Sequence, residues 1–598
     1  MSQYEAPVSD ILFTLETVAR LDELTKLPGY QDATPDTVQA ILEEAGKFAG
    51  GVLAPLNAIG DRQGSRLENG AVRTPDGSVD AYHGFAEAGW NSIAFDPEYG
   101  GQGMPWALTS ALQEIWNSAN MAFALCPLLT QGAIELLQAH GTPEQKALYL
   151  PKMIAGSWTG SMNLTEPQAG SDLGAIRTRA EPFGDGNRYH IRGQKIFITY
   201  GDHDFAENIV HLVLARLPDA PAGSKGISLF IVPKFLPGAD GAVGPRNDLR
   251  CVSLEHKLGI HASPTCVMAF GDNEGAIGFR IGEPNRGLEY MFTMMNNARL
   301  AVGIQGLAIA ERAYQHAVGY ARQRVQGAVI GEAAHGPQDP LSILHHPDVR
   351  RNLLTMRALT QSMRCLALYA AAALDRAKRE SDPAARAKSQ ALTDFLIPIV
   401  KAWCTDQGVR VASLGVQIHG GTGFIEETGA AQYYRDARIA PIYEGTNGIQ
   451  AIDLLGRKLL RDDGKTARAL LAEIAATMAE LDATPALSGT KSALQSALKS
   501  MDEAIAFVLD HGKQDLKRGL AVATPLLGLC GTVIGGWLLA RAAAAAARLR
   551  SETDPTFAAA KLATAIFYVE NILPEASALA AVVMRDGSST LDFPLDAF

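Results

Sequence analysis

The residue pattern of this chain changes twice, and these two changes constrain its fold more than any other feature. Apolar residues recur at helical spacing up to about residue 155, and helical spacing returns from about Gly287. Between these regions lie short aromatic and β-branched runs that are separated by Gly, Pro and Asp. These runs are Tyr189 to Thr199, Ile209 to Ala215, Gly226 to Val232 and Thr265 to Phe270. No helix-length pattern separates them, so we expect an antiparallel barrel or sandwich in the middle of the chain.

The predicted strands also bear on nucleotide binding. None of them is followed by G-x-G-x-x-G, so a Rossmann nucleotide site is not expected. The formal net charge is -11, and no Lys/Arg run is longer than two residues. This charge balance argues against nucleic acid as the main partner and against a basic membrane-binding surface. Any phosphate-bearing ligand must therefore be held by local groups.

Several helices can be placed from their end signals. Thr34-Pro35-Asp36 is typical of a helix start, and Thr142-Pro143-Glu144-Gln145 has the form of a capping box. Helical spacing predicts four further helices, at Met291 to Arg324, Pro347 to Arg379, Leu392 to Leu414 and Ile449 to Leu460.

A chain of 598 residues is expected to form about three to five domains. Gly464 looks like a boundary, and the Ala- and Leu-rich segment after it has 12 Lys/Arg and 14 Asp/Glu, a net charge of -2. This composition predicts an accessory helical bundle and does not support a DNA-binding tail. We predict an N-terminal extension (1–35), a helical domain (36–157), a β domain (158–283), a second helical domain (284–463) and the accessory domain (464–598).

The compartment can be predicted from the chain start and the cysteines. The first residues lack a basic region followed by an apolar run, so no signal peptide is expected. The six cysteines are scattered without C-x-x-C, as is typical of reduced, mostly buried thiols. We therefore expect a cytoplasmic protein. Gly519 to Ala540 is free of charge and long enough to cross a bilayer, but its Gly, Ala, Thr and Pro525 favour a buried bundle helix over membrane insertion.

Two common kinds of catalytic site are not indicated. His345-His346 lies outside any H-E-x-x-H or Cys/His ligand spacing, so we expect no metal site. No G-x-S-x-G elbow is present, which argues against a serine nucleophile.

A candidate general base is Glu444. It follows Pro441, Ile442 and Tyr443, so its carboxyl is expected to be partly desolvated, with a raised pKa that suits abstraction of a carbon-bound proton. Gly445 lets the backbone approach a ligand closely. The motif alone leaves the alternative of a surface turn open.

Three other segments combine small residues with polar side chains. Thr165 to Asp172 supplies hydroxyls and backbone N–H groups in one loop. Phe197 and Thr199 are two residues apart, which places them on the same face of a strand. Gln417 with Gly420 and Gly421 offers an amide and open backbone to a polar ligand. Each segment by itself is ordinary loop chemistry.

Taken together and in order, these motifs resemble the acyl-CoA dehydrogenase family of flavoenzymes, from about residue 40 to 460. The matching segments are Leu164 to Pro167 with Ala169 to Asp172, Lys195 to Thr199, Lys257 to Ile260 with Ser263 to Thr265, Asn285 to Leu288, Ala298-Arg299, Tyr320-Ala321 with Arg324 and Gln326, Gln417 to Phe424, and Tyr434 to Arg438 leading into Tyr443 to Thr446.

The resemblance implies a mainly α fold with a middle antiparallel β domain and a four-helix C-terminal domain. In this family FAD lies between the domains and across a subunit interface, so a homo-oligomer, a dimer or larger, is implied. The segment after Gly464 and the N-terminal Tyr4 to Pro7 are similar to a long bacterial subgroup, which carries an extra helical domain.

The resemblance also implies residue roles. Glu444 takes the α-proton of an acyl-CoA, and the β-hydride goes to flavin N5. The cofactor contacts implied are Leu164, Thr165, Ser171, Phe197, Thr199, Arg324, Gln326, Gln417, Gly421 and Thr446. The substrate contacts implied are Ser171, Asn296, Arg299, Tyr443 and Gly445. For Arg299, a helix-surface ion pair is the structural alternative.

Two positions depart from the family pattern. Phe197 stands where many members have Trp, and Gly448 stands where shorter members have a polar FAD contact. The resemblance implies dehydrogenation of a short or medium acyl-CoA in fatty acid β-oxidation chemistry, with 3-methylthiopropionyl-CoA as a candidate and an electron-transfer flavoprotein as acceptor. An oxidase that uses O₂ and a DNA-associated flavoprotein of the same superfamily are the alternatives.

Overall fold

The computed structural model describes residues 4–184, 186–238, 241–328, 341–482, 484–548 and 554–598. The chain forms two compact units. Unit 1 comprises Met1–Gly46, Pro105–Ser118 and Arg299–Phe598, and unit 2 comprises Lys47–Met104 and Ala119–Ala298. The predicted division into five domains remains a prediction.

Helices dominate unit 1, and three of them continue across a unit boundary. Those three are α3 (Pro35–Phe48), α6 (Trp106–His140) and α8 (Gly287–Gln323). The helices wholly within unit 1 are α1 (Val8–Thr17), α2 (Leu21–Leu24), α9 (Pro347–Arg379), α10 (Pro383–His419), α11 (Ala430–Ala437), α12 (Asn447–Asp453), α13 (Lys465–Asp482), α14 (Ser488–Gln514), α15 (Leu516–Ala521), α16 (Ala523–Arg548), α17 (Pro555–Asn571), α18 (Glu575–Val583) and α19 (Ser588–Leu591).

Unit 2 contains the strands. Its own helices are α4 (Ala54–Gln63), α5 (Ser78–Glu87) and α7 (Pro143–Ile154). Its strands are β1 (Arg66–Glu68), β2 (Ala71–Arg73), β3 (Trp158–Asn163), β4 (Arg179–Pro182), β5 (Arg188–Thr199), β6 (Asn208–Ala215), β7 (Ser228–Pro233), β8 (Phe235–Pro237), β9 (Val243–Arg246), β10 (Leu249–Leu254), β11 (Thr265–Phe270) and β12 (Ala276–Ile281).

The main sheet of unit 2 has the strand order β10-β11-β5-β12-β7-β6-β3, with β4 on β5. Its neighbouring strands are antiparallel except β3 and β6, which pair in parallel from Trp158–Asn208 to Asn163–Val213. The prediction of an entirely antiparallel sheet is therefore wrong for this pair of strands, and the sheet is mixed. Parallel neighbours require a crossover, and the chain between β3 and β6 supplies one because it contains β4 and β5. Val213, Phe230 and Met268 are among the buried side chains that form the core against this sheet.

The four strands predicted from sequence are confirmed: β11 matches its predicted bounds, and β5, β6 and β7 differ by one or two residues at their ends. β3 and β12 were not predicted as separate strands, since Gly160, Ser161 and Gly278 weaken the β-branched pattern there. Both strands nevertheless pair along their length, because neighbouring strands supply the backbone hydrogen bonds.

Helix ends follow local chemistry closely. Thr142 and Gln145 form both hydrogen bonds of a capping box at the start of α7, as predicted. The helix predicted at 347–379 matches α9. The helix predicted from Leu392 is longer, because α10 begins at Pro383 and continues through Pro398. The predicted helix at 449–460 is only partly α-helical, since α12 is followed by a π-helix at Leu454–Leu459.

Three helical segments in the described residues are long and apolar enough to cross a membrane. The α16 segment overlaps the uncharged run at 519–540, and its most apolar window is 83% buried inside the protein. This burial favours the predicted bundle helix. The other two are α6, with 94% of its window buried, and Pro555–Val583, with 39% buried.

A buried ionic cluster joins five helices of unit 1. The Arg364 guanidinium on α9 contacts Glu114 on α6 at 2.5 Å and Glu311 on α8 at 2.7 Å, and it also bonds Asp10 on α1. Lys561 on α17 is paired with the same Asp10. Charged side chains are retained in a core when they are paired, so this cluster connects the N-terminal extension with the accessory helices. All six cysteines are free and buried, as expected.

Candidate active site

Glu444 lies in the loop between α11 and α12, in a backbone conformation that few non-glycine residues adopt. Its φ is +57°, and Gly445 next to it has a φ of +85°. The loop is held by backbone and side-chain hydrogen bonds: Asn447 N–H donates to Pro441 O at 3.0 Å, and Gln450 Nε2 donates to Gly445 O at 3.0 Å. A left-handed residue that its surroundings hold in place is frequent at functional sites.

The electrostatics of Glu444 agree with the sequence-based expectation. Burial raises the pKa of its carboxyl to about 7, against the opposing pull of Arg299 and Lys401. A carboxyl with this pKa is ionised for a large fraction of the time near neutral pH and remains basic enough to take a proton.

Arg299 is buried in α8 and does not form a helix-surface ion pair. Its Nη1 lies 3.2 Å from Asp453 Oδ2 at the end of α12, and both side chains are almost fully covered. The Nε of Arg299 has no hydrogen-bond partner among the described residues. Arg299 therefore positions α12 and places a cation near Glu444.

Tyr443, the residue before the base, is also anchored. Its hydroxyl donates to Gln305 on α8, and Gln305 Nε2 donates to Asn117 on α6 at 3.1 Å. On the other side of the base, Thr446 caps α12 by accepting a hydrogen bond from Ile449 N–H at 3.3 Å. The structure thus brings Arg299, Tyr443, Glu444, Gly445 and Thr446 into one part of unit 1.

A second group of predicted residues lies at the ends of α8 and α10. The Thr422 and Tyr320 hydroxyls are hydrogen-bonded, with 3.2 Å between Oγ1 and Oη, and this contact joins the two helix ends. Gln417 is exposed in the last turn of α10, and Gly421 follows in a short 3₁₀ helix. Arg324 and Gln326, the other two predicted residues in this group, follow α8 and are exposed. Arg324 Nη2 donates a hydrogen bond to Gln326 Oε1.

The predicted flavin-ring residues of unit 2 are joined by hydrogen bonds between two segments. Leu164 and Thr165 directly follow β3, and Ile196 N–H on β5 donates to Thr165 O at 2.9 Å. Phe197 is 58% exposed, with a φ of +59°. Pairing of β5 with β11 shifts register between Cys266 and Met268. The alternation of side chains between the two faces of β5 is thus interrupted at Phe197. A β-bulge accounts for the exposure of this side chain.

The two remaining predicted residues of unit 2 lie in other parts of the chain: a loop and α8. Ser171 is exposed in the loop before the 3₁₀ turn at Leu173–Ala175, and Asn296 is half-buried on α8. No hydrogen bond joins either side chain to the ring-binding segments described above.

Two buried lysines were not among the predicted site residues. Lys195 on β5 donates to Leu164 O at 2.9 Å and to Glu166 Oε1 at 2.8 Å, which ties the loop after β3 to β5. Lys401 on α10 donates to Asn447 Oδ1 at 2.8 Å, close to the base. A lone lysine within an apolar helical run, as at 396–403, is the sequence signal that indicates the second one.

Within the part of the chain that the structure describes, no group of three or more His, Cys, Asp or Glu side chains could hold a metal ion. His345 ends a 3₁₀ turn, and His346 directly precedes α9.

Four protein-family models match consecutive parts of this chain. They are the acyl-CoA dehydrogenase N-terminal domain (35–157), middle domain (161–273) and C-terminal domain (285–460), and the acetyl-CoA dehydrogenase C-terminal-like domain (470–594). A 3-methylmercaptopropionyl-CoA dehydrogenase from Ruegeria pomeroyi is 51% identical, over 98% of this chain and 99% of its own. The chain belongs to the acyl-CoA dehydrogenase family.

Other known proteins agree with this assignment. A butyryl-CoA dehydrogenase from Syntrophomonas wolfei is 34% identical over 100% of this chain and 99% of its own. A crystal structure of an acyl-CoA dehydrogenase complexed with FAD from Bacillus anthracis shares the fold, with a TM-score of 0.74 at 22% identity over 94% of this chain and 90% of that one. The predicted acyl-CoA dehydrogenase fold is thereby confirmed.

Family membership confirms further predictions made from the motifs. The protein is a flavin-dependent oxidoreductase that acts on acyl-CoA, and its cofactor is FAD. The individual site residues stay predictions, supported for this acyl-CoA dehydrogenase by the geometry described above.

Proposed function

We propose that the protein converts a short or medium acyl-CoA to the 2-enoyl-CoA, with 3-methylthiopropionyl-CoA as the leading substrate candidate. The 51% identity to the Ruegeria pomeroyi enzyme over nearly the whole chain supports a thioether acyl-CoA. The butyryl-CoA dehydrogenase at 34% identity supports a short straight chain. We further propose an electron-transfer flavoprotein as acceptor, a cytoplasmic location and a homodimer or larger assembly.

One observation carries this proposal: the Glu444 carboxyl combines a raised pKa, a left-handed backbone and two neighbouring cations. Such a carboxylate can take the α-proton from the acyl-CoA near neutral pH. The loop backbone at Glu444 and Gly445 would donate a hydrogen bond to the thioester oxygen, which acidifies the α-carbon. FAD supplies the acceptor for the hydride that leaves the β-carbon.

The residues of each unit suit FAD by their chemistry. In unit 2, Phe197 presents an exposed aromatic face for a flat ring, and Thr199, Leu164 and Thr165 supply polar and apolar groups beside it. Phenylalanine in place of the more common tryptophan keeps that aromatic face.

In unit 1, a Cβ at Gly421 would meet no atom within 4 Å, so the backbone there is open to a ligand. We propose Gln417 and Thr446 as further contacts to the dinucleotide, and Arg324 with Gln326 as contacts to the dinucleotide of a neighbouring subunit.

An anaerobic titration of the FAD-loaded protein with a panel of acyl-CoAs tests the proposal, with bleaching of the flavin absorbance as the readout. We expect bleaching with short and thioether acyl chains. Glu444→Gln is expected to keep FAD and to bind acyl-CoA without bleaching, since the amide cannot accept the α-proton. Normal bleaching in that variant would remove Glu444 from its proposed role.

The same preparation separates the two alternative functions. Rapid peroxide formation in air without an added acceptor would indicate an oxidase. Binding to duplex DNA at physiological salt would indicate the DNA-associated alternative, against which the accessory segment's net charge of -2 argues.

A further inference from the structure

Lys401 is a charged side chain in the apolar core of α10. Its side chain is fully buried, and the flanking Ile399, Val400 and Ala402 are buried as well. The ammonium donates one hydrogen bond, to Asn447 Oδ1 at 2.8 Å. It forms no ion pair with a carboxylate of the described residues, although a buried ammonium is costly without one.

The partner amide belongs to the segment that carries the base. Asn447 begins α12, three residues after Glu444, and its N–H closes the loop onto Pro441 O. Its side-chain Nδ2 donates to Thr405 Oγ1 at 3.0 Å and to Asp406 Oδ1 at 2.7 Å. Asn447 is thus held by α10 on both its oxygen and its nitrogen.

The two cations near Glu444, Arg299 and Lys401, differ in whether a carboxylate is paired with them. Arg299 is already paired with Asp453, and Arg457 lies 3.6 Å from the same Asp453. Lys401 has no such paired carboxylate. The charged groups that act on it are Glu444, Asp406 and Arg299. Of the two cations that act on Glu444, Arg299 is therefore ion-paired with another carboxylate and Lys401 is not.

We propose that Lys401 is a positioning residue for the base: it holds the Glu444 loop through Asn447 and supplies the positive charge that keeps the Glu444 carboxyl ionised in a water-poor site. The inference rests on the proposed function for its role in catalysis, but the charge effect on Glu444 exists without turnover. The pKa shifts agree in direction. Burial raises the pKa of Glu444 to about 7, and the positive charges of Arg299 and Lys401 oppose that rise. Burial lowers the pKa of Lys401, and the negative charge of Glu444 opposes that fall and favours the charged ammonium.

The test measures the titration of the Glu444 carboxyl directly, by infrared difference spectroscopy of the full-length FAD-loaded protein. Loss of the carboxyl band in Glu444→Gln identifies the signal. In Lys401→Gln, which keeps a hydrogen-bonding group for Asn447 but removes the charge, we expect the midpoint to move upward by about one pH unit. An unchanged midpoint would overturn the inference.

Two further variants keep the result interpretable. Lys401→Met is a nonpolar replacement of similar length and is expected to shift the midpoint in the same direction, so it serves if the glutamine variant does not fold. Lys458→Gln removes a lysine of the same unit that is paired with Asp394 at 3.3 Å, and it is expected to leave the midpoint unchanged. An equal shift in this control would also contradict a specific effect of Lys401.

Activity then supplies a second readout. The acid limb of the profile of kcat/KM against pH is expected to move upward in Lys401→Gln by the same amount as the infrared midpoint. If wild-type protein fails to bleach with any acyl-CoA, the proposed function is wrong, while the infrared result still decides whether Lys401 controls the ionisation of Glu444.

Discussion

Lys195 and Glu166 form a buried ion pair in unit 2, with 2.8 Å between the Lys195 ammonium and Glu166 Oε1. Glu166 also accepts hydrogen bonds from Thr178 Oγ1 at 2.6 Å and from Arg177 N–H at 2.6 Å. The pair joins the Leu164–Thr165 segment to β5, which carries Phe197. This ion pair, together with the hydrogen bonds from Lys195 to Leu164 O and from Ile196 N–H to Thr165 O, holds the two parts of the proposed flavin-ring contact in register.

Lys195→Met is expected to lower the free energy of unfolding by about 3–5 kcal/mol, because it leaves Glu166 buried without its cation. We also expect FAD to be lost more readily. Denaturant unfolding and the ratio of flavin to protein absorbance measure the two effects. The double variant with Glu166→Gln should lose less than the sum of the single variants, and strict additivity would contradict a coupled pair.

The pair also predicts a response to acid. Burial alone would raise the pKa of Glu166, but Lys195, Thr178 and the Arg177 N–H outweigh it and lower the pKa to about 2. A lowered pKa adds stability above the ordinary carboxyl pKa, and that stability is lost as the pH falls towards 2. Part of the acid destabilisation of wild type should consequently be missing in Lys195→Met.

The pKa of Glu444 predicts the pH dependence of flavin reduction. The base must be ionised, and burial raises its pKa to about 7, so the rate should rise with pH through that value. Below the midpoint we expect about a tenfold fall for each pH unit. Stopped-flow measurement of flavin bleaching gives this profile. A rate that stays constant down to about pH 5 would show that the base has an ordinary glutamate pKa.

Gly445→Ala is expected to reduce activity strongly. Its φ of +85° disfavours an L side chain, and a Cβ there would lie 2.9 Å from Gln450 Nε2, which holds the loop. The strain should cost about 1–3 kcal/mol and displace Glu444. Steady-state kinetics and thermal unfolding measure the loss.

Gly448→Ala, three residues further along and in the first turn of α12, is the matched control. The nearest atom to its Cβ would be Thr446 Oγ1 at 3.8 Å, an ordinary contact. We expect kcat/KM and Tm close to those of wild type. A similar loss in both variants would attribute the effect to loop composition and not to the conformation at Gly445.

The ionic cluster of unit 1 predicts a large difference between two arginine substitutions. Arg364→Met leaves Glu114, Glu311 and Asp10 without their shared cation and should lower the free energy of unfolding by about 3–5 kcal/mol. Arg351→Met removes an arginine of the same helix that is 56% exposed and pairs with Asp348, with an expected cost below about 1 kcal/mol. Chemical denaturation of both proteins compares them, and equal losses would contradict the importance of the buried cluster.

Local sequence patterns were sufficient to predict several helices, the family and the candidate base of this protein. Helical spacing and end signals placed α9 and the capping box of α7, because these depend on residues within one or two turns. The motifs around Thr165, Gln417 and Glu444 indicated the family. The apolar residues before Glu444 also predicted that its pKa is raised, and burial does raise it.

Only the tertiary structure decided the contacts between distant segments. Arg299 and Asp453 are 154 positions apart, and nothing near either one shows that they pair. The parallel pairing of β3 with β6 and the bulge at Phe197 depend on which strands become neighbours. The sequence around Lys401 shows only a lysine within an apolar helix. The tertiary structure decides that its charge lies near Glu444. Short-range preferences shape the backbone of each segment, whereas charge compensation in a core depends on which segments pack together.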